Sequence, residues 1–123
     1  MLLLCLFLRA GGCTYTSLLE GNYHLVPHGQ CDMGQIRSDR LILHDDGTFE
    51  QHTISKSGIH YDSLNEKWKY IGHKSIRLDS WNDFSAAKSA DFKGIKKAVV
   101  LRVEPTHPQI VFAPSGCYYT QPK

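Results

Sequence analysis

The chain has 123 residues, of which 41% are hydrophobic and 21% charged, and it carries a formal net charge of +2. This length fits one small domain, and the apolar fraction excludes a disordered chain. Fourteen basic residues against twelve acidic ones leave no positive excess for a row of phosphates, so we expect no nucleic-acid partner.

The chain starts with a short apolar segment. Residues 2–8 read LLLCLFL, too short a run to span a membrane, and Ala-Gly-Gly precedes Cys13. This Ala-Gly-Gly-Cys sequence resembles a bacterial lipobox, which implies that residues 1–12 are a lipoprotein signal peptide. By that resemblance Cys13 is acylated, for example with palmitate, residues 13–19 form a spacer, and the lipid anchors the protein to a membrane of the bacterial cell envelope. The alternative is a cytosolic protein in which residues 2–8 form a buried strand or helix.

The expected state of the cysteines depends on the signal-peptide prediction. Removing residues 1–12 leaves 111 of the 123 residues, with Cys31 and Cys117 as the cysteines that carry no lipid. Two cysteines in an exported chain indicate one disulfide. The bond would close most of the domain into one loop and stabilise it by about 4–5 kcal/mol. In a cytosolic protein both would remain thiols.

Residues 20–123 read as short strands separated by turns. Alternating apolar and polar residues predict strands at 20–26, 40–44, 48–54, 67–71, 75–81, 97–103 and 109–113, with shorter ones at 59–61 and 117–120. Asp46-Gly47 predicts a tight hairpin, and Gly72-His73-Lys74 a second one. Residues 82–96 lack a pattern and are expected to form a long connection.

Alternation also assigns the faces of the two hairpins. The inward side chains are predicted to be Leu41, Leu43, Phe49, Trp68, Tyr70, Ile76 and Leu78. The more exposed ones in the first hairpin are Arg40, His44, Glu50 and His52. Closing such a sheet buries its one apolar face and removes its edges. We therefore expect an all-β antiparallel meander of about eight short strands, closed or nearly closed into a small barrel.

Several short motifs follow one another in a known order. They are Gly21-Asn22-Tyr23, Leu41-Ile42-Leu43 leading into Asp46-Gly47-Thr48-Phe49, Lys67-Trp68-Lys69-Tyr70, and Ile76-Arg77-Leu78. This order and the lipobox-like start resemble small lipocalin-like, or calycin-like, bacterial lipoproteins. The resemblance covers residues 21–81. It implies a lipocalin-like barrel that binds small apolar ligands, maintains the envelope or inhibits an enzyme.

The sequence contains no motif for a nucleophile elbow, a phosphate loop or a metal-binding helix, so we expect neither catalysis nor a cofactor. The seven histidines have no diagnostic ligand spacing, and we expect them to be solvated and to form no metal site. The candidate contacts for a small apolar ligand or a partner protein are aromatic: Tyr23, Trp68, Tyr70, Trp81, Phe84 and Phe92. A partner in the envelope would contact the aromatic and basic stretch from Trp81 to Lys97, whereas a purely structural core would leave these side chains packed together.

Overall fold

The chain forms an antiparallel all-β structure in which each strand pairs with the next along the sequence. A computed structural model describes residues 18–27, 33–84, 94–104, 110–112 and 117–121. The strands are β1 (Gly21–Val26), β2 (Ile36–Leu43), β3 (Thr48–Ser55), β4 (His60–Gly72), β5 (Ser75–Asp83), β6 (Ile95–Glu104), β7 (Ile110–Phe112) and β8 (Tyr118–Thr120). The predicted all-β antiparallel meander is confirmed.

The last strand returns to the first. β8 pairs with β7 on one side and with β1 on the other, so the hydrogen-bonded order runs from β1 to β8 and back to β1. The strands β7 and β8 are three residues long, whereas β2 to β6 have eight to thirteen residues each. Within the described residues, no helix is long and apolar enough to cross a membrane.

The predicted hairpin between β2 and β3 has the turn chemistry that its sequence suggests. Gly47 takes a φ of +88°, which favours glycine. The Asp46 carboxylate accepts hydrogen bonds from the Thr48 amide at 2.9 Å and the Thr48 hydroxyl at 2.7 Å. These contacts fix the register, and Leu41, Leu43 and Phe49 face inward as predicted.

The segment 59–71 differs from the expectation of two separate strands. β4 runs without a break from His60 to Gly72, and its register against β3 shifts between Phe49 and Gln51. Asn65 takes a φ of +59° at this shift, where an extra residue forms a β-bulge. The bulge changes which alternate residues point inward, so both Ser63 and Trp68 are buried on the same strand.

The two ends of the sheet differ in composition. At the end with the β2–β3 and β4–β5 turns, which we name the apolar end, the interior is hydrophobic. Leu19, which the sequence placed in the spacer, is helical and fully buried there, and its carbonyl accepts a hydrogen bond from the Tyr23 hydroxyl. The main core cluster, which extends from this end, comprises Leu19, Tyr23, Leu41, Leu43, Phe49, Trp68, Ile76, Leu78, Trp81, Val99, Leu101, Val103, Val111 and Tyr119.

The opposite end, which we name the polar end, holds the end of β1, the start of β2 and the β3–β4 turn. Ile36 of β2 and Phe84, which follows β5, form a separate small cluster there, with Met33 and Tyr61 packed against it. Between this cluster and the main core, register places Asp39 opposite Thr53. A polar layer therefore separates two hydrophobic clusters.

Candidate functional site

The polar layer consists of buried side chains from β2, β3, β4, β5 and β8. Its polar members are Asp39, Gln51, Thr53, Ser63, Asn82 and Tyr119. Asp39 is 2% exposed and lies at the centre of the hydrogen bonds that link the layer. Burying so many polar groups costs free energy unless each finds a partner. No buried side-chain nitrogen or oxygen in the described part of the chain lacks one.

Three side chains donate hydrogen bonds to the Asp39 carboxylate. The Tyr119 hydroxyl lies 2.8 Å from Oδ2 and the Thr53 hydroxyl 3.0 Å from Oδ1. The Gln51 amide nitrogen lies 3.3 and 3.4 Å from the two oxygens, so its bonds are the longest. These donors come from β3 and β8, so the carboxylate joins strands that are far apart in the sequence.

Gln51 and Asn82 connect the layer to β5 and β4. The Gln51 side-chain oxygen accepts a hydrogen bond from the backbone N–H of Asn82 at 2.8 Å, and the Gln51 side-chain nitrogen donates to the backbone carbonyl of Asn82 at 3.0 Å. The Asn82 side chain donates to the Ser63 hydroxyl at 2.9 Å. Asn82 and its neighbour Trp81 are both buried because the β5–β6 register shifts between Leu78 and Trp81.

Trp81 continues the network towards Asp39. Its indole nitrogen donates to the Tyr119 hydroxyl at 3.1 Å, and that hydroxyl donates in turn to Asp39. Burial and the nearby Asp39 charge raise the pKa of Tyr119 well above its ordinary value, so this hydroxyl stays protonated. The Trp81 indole is thus linked to the Asp39 carboxylate through the Tyr119 hydroxyl.

Among the residues that the structure describes, the Asp39 carboxylate forms no ion pair, because each ion pair there involves another carboxylate. Burial raises the pKa of Asp39 to about 6, against the opposing hydrogen bonds from Tyr119, Thr53 and Gln51 and the positive charge of His52. The hydrogen bonds that the structure describes at this buried carboxylate come from neutral donors.

The predicted aromatic contacts fall into two groups. Tyr23, Trp68 and Tyr70 belong to the main hydrophobic cluster or pack against it, and the Trp68 indole donates to the His44 carbonyl at the apolar end. Trp81 contacts the polar layer through the Tyr119 hydroxyl, and Phe84 belongs to the small hydrophobic cluster with Ile36 at the polar end.

Phe84 contacts Tyr61 with ring centroids 5.5 Å apart. Phe92 lies outside the described residues, as does most of the stretch predicted to contact a partner protein. In that stretch Trp81 and Phe84 point into the structure instead of presenting a surface.

The cysteine predictions are only partly within the described residues. Cys13 and Cys31 lie outside them. Cys117 is 1% exposed and immediately precedes β8, close to the end of β1 that pairs with Tyr118. The pairing of Cys31 with Cys117 stays a prediction.

Sequence reasoning missed Asp39, Gln51 and Tyr119 as members of one site. The available signal was alternation, because Asp39 shares the inward face of β2 with Leu41 and Leu43. Gln51 and Thr53 likewise follow Phe49 on the inward face of β3. Polar residues in phase with an apolar face indicate a buried polar site.

Comparison with known proteins adds no relative: no protein-family model, curated protein or solved structure matches the chain. The geometry of the polar layer and the N-terminal sequence are therefore the features that bear on function.

Proposed function

We propose that this protein is a lipid-anchored, non-catalytic accessory protein of the bacterial cell envelope, whose lipocalin-like β-barrel binds a small ligand at its polar end. The start of the sequence supports the anchor, because an apolar run ends in Ala-Gly-Gly-Cys13. The cyclic strand order, with β8 beside β1, supports a closed barrel. Barrels of about eight strands have interiors that side chains fill or that hold one small molecule.

The observation that carries the ligand proposal is the buried Asp39, which forms no ion pair among the described residues. An ionised carboxylate in a low-dielectric interior is costly unless a positive charge or strong donors compensate it. Hydrophobic side chains would fill a purely structural interior at lower cost. A perturbed carboxylate that accepts hydrogen bonds from a phenol, an aliphatic hydroxyl and an amide is the arrangement expected of a recognition site.

The same chemistry defines the ligand class. Asp39 would accept from a protonated amine, which would replace the long contacts from Gln51 at 3.3 and 3.4 Å. The aromatic rings of Trp81 and Tyr119 favour a cationic or aromatic neighbour. The apolar cover of Ile36 and Phe84 suits a hydrophobic body. We infer a small amphipathic ligand with an apolar body and one amine.

Three probes of nearly equal shape test this proposal. The full chain is titrated with 2-phenylethylamine, 2-phenylethanol and phenylacetate at pH 7.5, with binding followed by calorimetry and tryptophan fluorescence. The amine is expected to bind at least about tenfold more tightly than the alcohol, and the acid more weakly than either. Asp39→Asn should abolish the preference for the amine, whereas Asp79→Asn, on the exposed outer surface, should preserve it.

Two results would overturn the proposal in different ways. Equal affinities for amine and alcohol, unchanged in Asp39→Asn, would remove Asp39 from recognition. Absence of binding by all three probes, by a fatty acid and by a hydrophobic dye would leave the polar layer with a structural role only.

The anchor and the disulfide have a test of their own. Protein expressed from its own start in a bacterial host is extracted from the membrane fraction and weighed intact without reductant. A mass that begins at Cys13, carries acyl chains and lacks two hydrogens is expected. An unprocessed mass that begins at Met1, with four free thiols, would make the protein cytosolic and exclude the Cys31–Cys117 bond.

A further inference from the structure

Four side chains on the outer surface of the first hairpin and β4 form a continuous chain of contacts. His44 Nε2 lies 2.7 Å from one Glu50 oxygen, and His52 Nε2 lies 2.9 Å from the other. His52 Nδ1 lies 2.7 Å from an Asp62 oxygen. One carboxylate therefore lies between two imidazoles, and a second carboxylate holds the far side of one of them.

Strand pairing explains why residues so far apart in sequence meet. Glu50 and His52 are two residues apart on β3 and so point to the same outer face. Asp62 is the register partner of His52 on β4. His44 directly follows β2, just before the tight turn, and its ring lies beside Glu50 on the returning strand.

Hydrogen bonds between imidazole nitrogens and carboxylate oxygens hold this chain of contacts together. An ionised carboxylate only accepts hydrogen bonds, so a ring N–H group lies at each contact. The cluster therefore brings two imidazoles and the Glu50 carboxylate to one place on the outer surface.

The geometry points to a binding site for a divalent transition-metal ion, with Nε2 of His44, Nε2 of His52 and the Glu50 carboxylate as ligands. Asp62 is a positioning residue: it accepts from His52 Nδ1–H and so leaves Nε2 directed at the ion. A carboxylate on the second nitrogen of a ligating histidine is a recurrent feature of metal sites. The ion would replace the protons that now bridge the imidazoles and Glu50.

The imidazole nitrogens and the carboxylate oxygens lie 2.7 and 2.9 Å apart, at hydrogen-bond distance. Two ligand atoms of a tetrahedral zinc ion, each about 2.1 Å from the metal, lie about 3.4 Å apart. Each nitrogen–oxygen pair must therefore open by about half an ångström when Zn²⁺ enters.

Among the described residues, no three histidine, cysteine or acidic side chains already surround one point, so a rotation must accompany binding. The side chains have room for it, because His44 is 40%, Glu50 28% and His52 23% exposed. The same exposure admits water to the remaining coordination positions.

The ligand types define the metal. Imidazole with carboxylate suits Zn²⁺, Co²⁺ and Ni²⁺, whereas Mg²⁺ and Ca²⁺ prefer oxygen ligands only. This site lies on the outer surface and shares no residue with the polar layer, so its test is separate from that of the proposed ligand.

Calorimetric titration of the full chain with ZnCl₂ at pH 7.5 is the test, with CaCl₂ as the comparison and Co²⁺ absorption to report coordination by nitrogen and oxygen. One Zn²⁺ per chain is expected to bind in the micromolar range, without a response to Ca²⁺. His44→Gln, Glu50→Gln and His52→Gln should each weaken Zn²⁺ binding at least about tenfold, and Asp62→Asn about ten- to a hundredfold. His60→Gln, an exposed β4 histidine outside the chain of contacts, is the matched control and should bind normally.

Circular dichroism and thermal melts establish that the variants are folded, and Zn²⁺ should raise the melting temperature of the wild type and of His60→Gln only. The proposal is overturned if no saturable one-to-one binding occurs at millimolar Zn²⁺. It is also overturned if the His44, Glu50 and His52 variants bind as the wild type does, since the ion would then be held elsewhere.

Discussion

The apolar end and the polar layer are built from the same strands, but different interactions stabilise their buried side chains. On β2, Leu41 and Leu43 contribute to the hydrophobic cluster, while Asp39 on the same face binds Tyr119 and Thr53. At the apolar end, stability comes from removing hydrophobic surface from water, without directional demands. In the polar layer each group depends on partners from other strands, so loss of one leaves the others unpaired.

This contrast indicates where the molecule tolerates change. A hydrophobic cluster accepts substitutions that conserve volume, whereas a hydrogen-bonded layer requires particular atoms. A buried Asp39 is costly for stability unless its hydrogen bonds compensate the lost hydration. The two regions should therefore respond differently to substitution and to pH.

The largest expected effect concerns the proposed bridge at the polar end. Cys31→Ser and Cys117→Ser should each lower the free energy of unfolding by about 4–5 kcal/mol, because the unfolded chain loses its closed loop. The double variant should lose no more than either single one. Urea unfolding without reductant provides the measurement, and additive losses would contradict the pairing.

Truncating a buried side chain in the hydrophobic cluster should lower the free energy of unfolding nearly as much. Phe49 is fully buried, so Phe49→Ala should lower the free energy of unfolding by about 3–5 kcal/mol. Val100→Ala on the exposed outer surface is the control and should change it by less than about 0.5 kcal/mol. Chemical denaturation of both variants checks this, and similar losses would mean that burial does not govern stability here.

Asp39 should give the polar layer a pH dependence that the apolar end lacks. Its pKa rises from 3.8 to about 6 on folding, so the folded state binds the proton more tightly. This contribution is fully present below pH 3.8 and is lost as pH rises through about 6. It corresponds to a loss of about 3 kcal/mol over that range.

Comparing the wild type with Asp39→Asn isolates the pH-dependent contribution of Asp39 to the free energy of unfolding, since the remaining carboxylates are unchanged. The free energy of unfolding of Asp39→Asn minus that of the wild type should become more positive between pH 4 and pH 7. Denaturant melts at four or five pH values measure the difference. A constant difference would show that Asp39 has an ordinary pKa in the folded protein.

The smallest predicted effect lies at the bulge where β4 passes from one environment to the other. Asn65 has a φ of +59°, a conformation that costs most side chains about 1–2 kcal/mol, though asparagine tolerates it. Asn65→Val should therefore destabilise the protein by about 1 kcal/mol, whereas Asn65→Gly should be neutral or slightly stabilising. Thermal melts compare the two, and equal effects would exclude backbone strain at this position.

Much of the fold followed from local pattern. Alternation identified the inward faces of the first hairpin, and Asp46-Gly47 identified its turn, because these features depend on neighbouring residues alone. The continuous β4 was missed since the polar segment 62–66 resembles a loop, and only pairing with β3 reveals the bulge. The burial of Leu19 was missed because a single apolar residue outside a strand forms no periodic pattern.

Local residue preferences are enough to specify the all-β class, the position of the tight turns and the apolar side of each hairpin, since these depend on steric and hydrophobic effects over a few residues. Which polar residues become partners depends instead on the three-dimensional arrangement of the strands. Asp39 meets Tyr119 across 80 positions, and Gln51 meets Asn82 across 31. The same holds on the outer surface, where Asp62 meets His52 through the register of β3 and β4. Such contacts arise from strand register and bulges, which residue spacing in a single sequence does not specify.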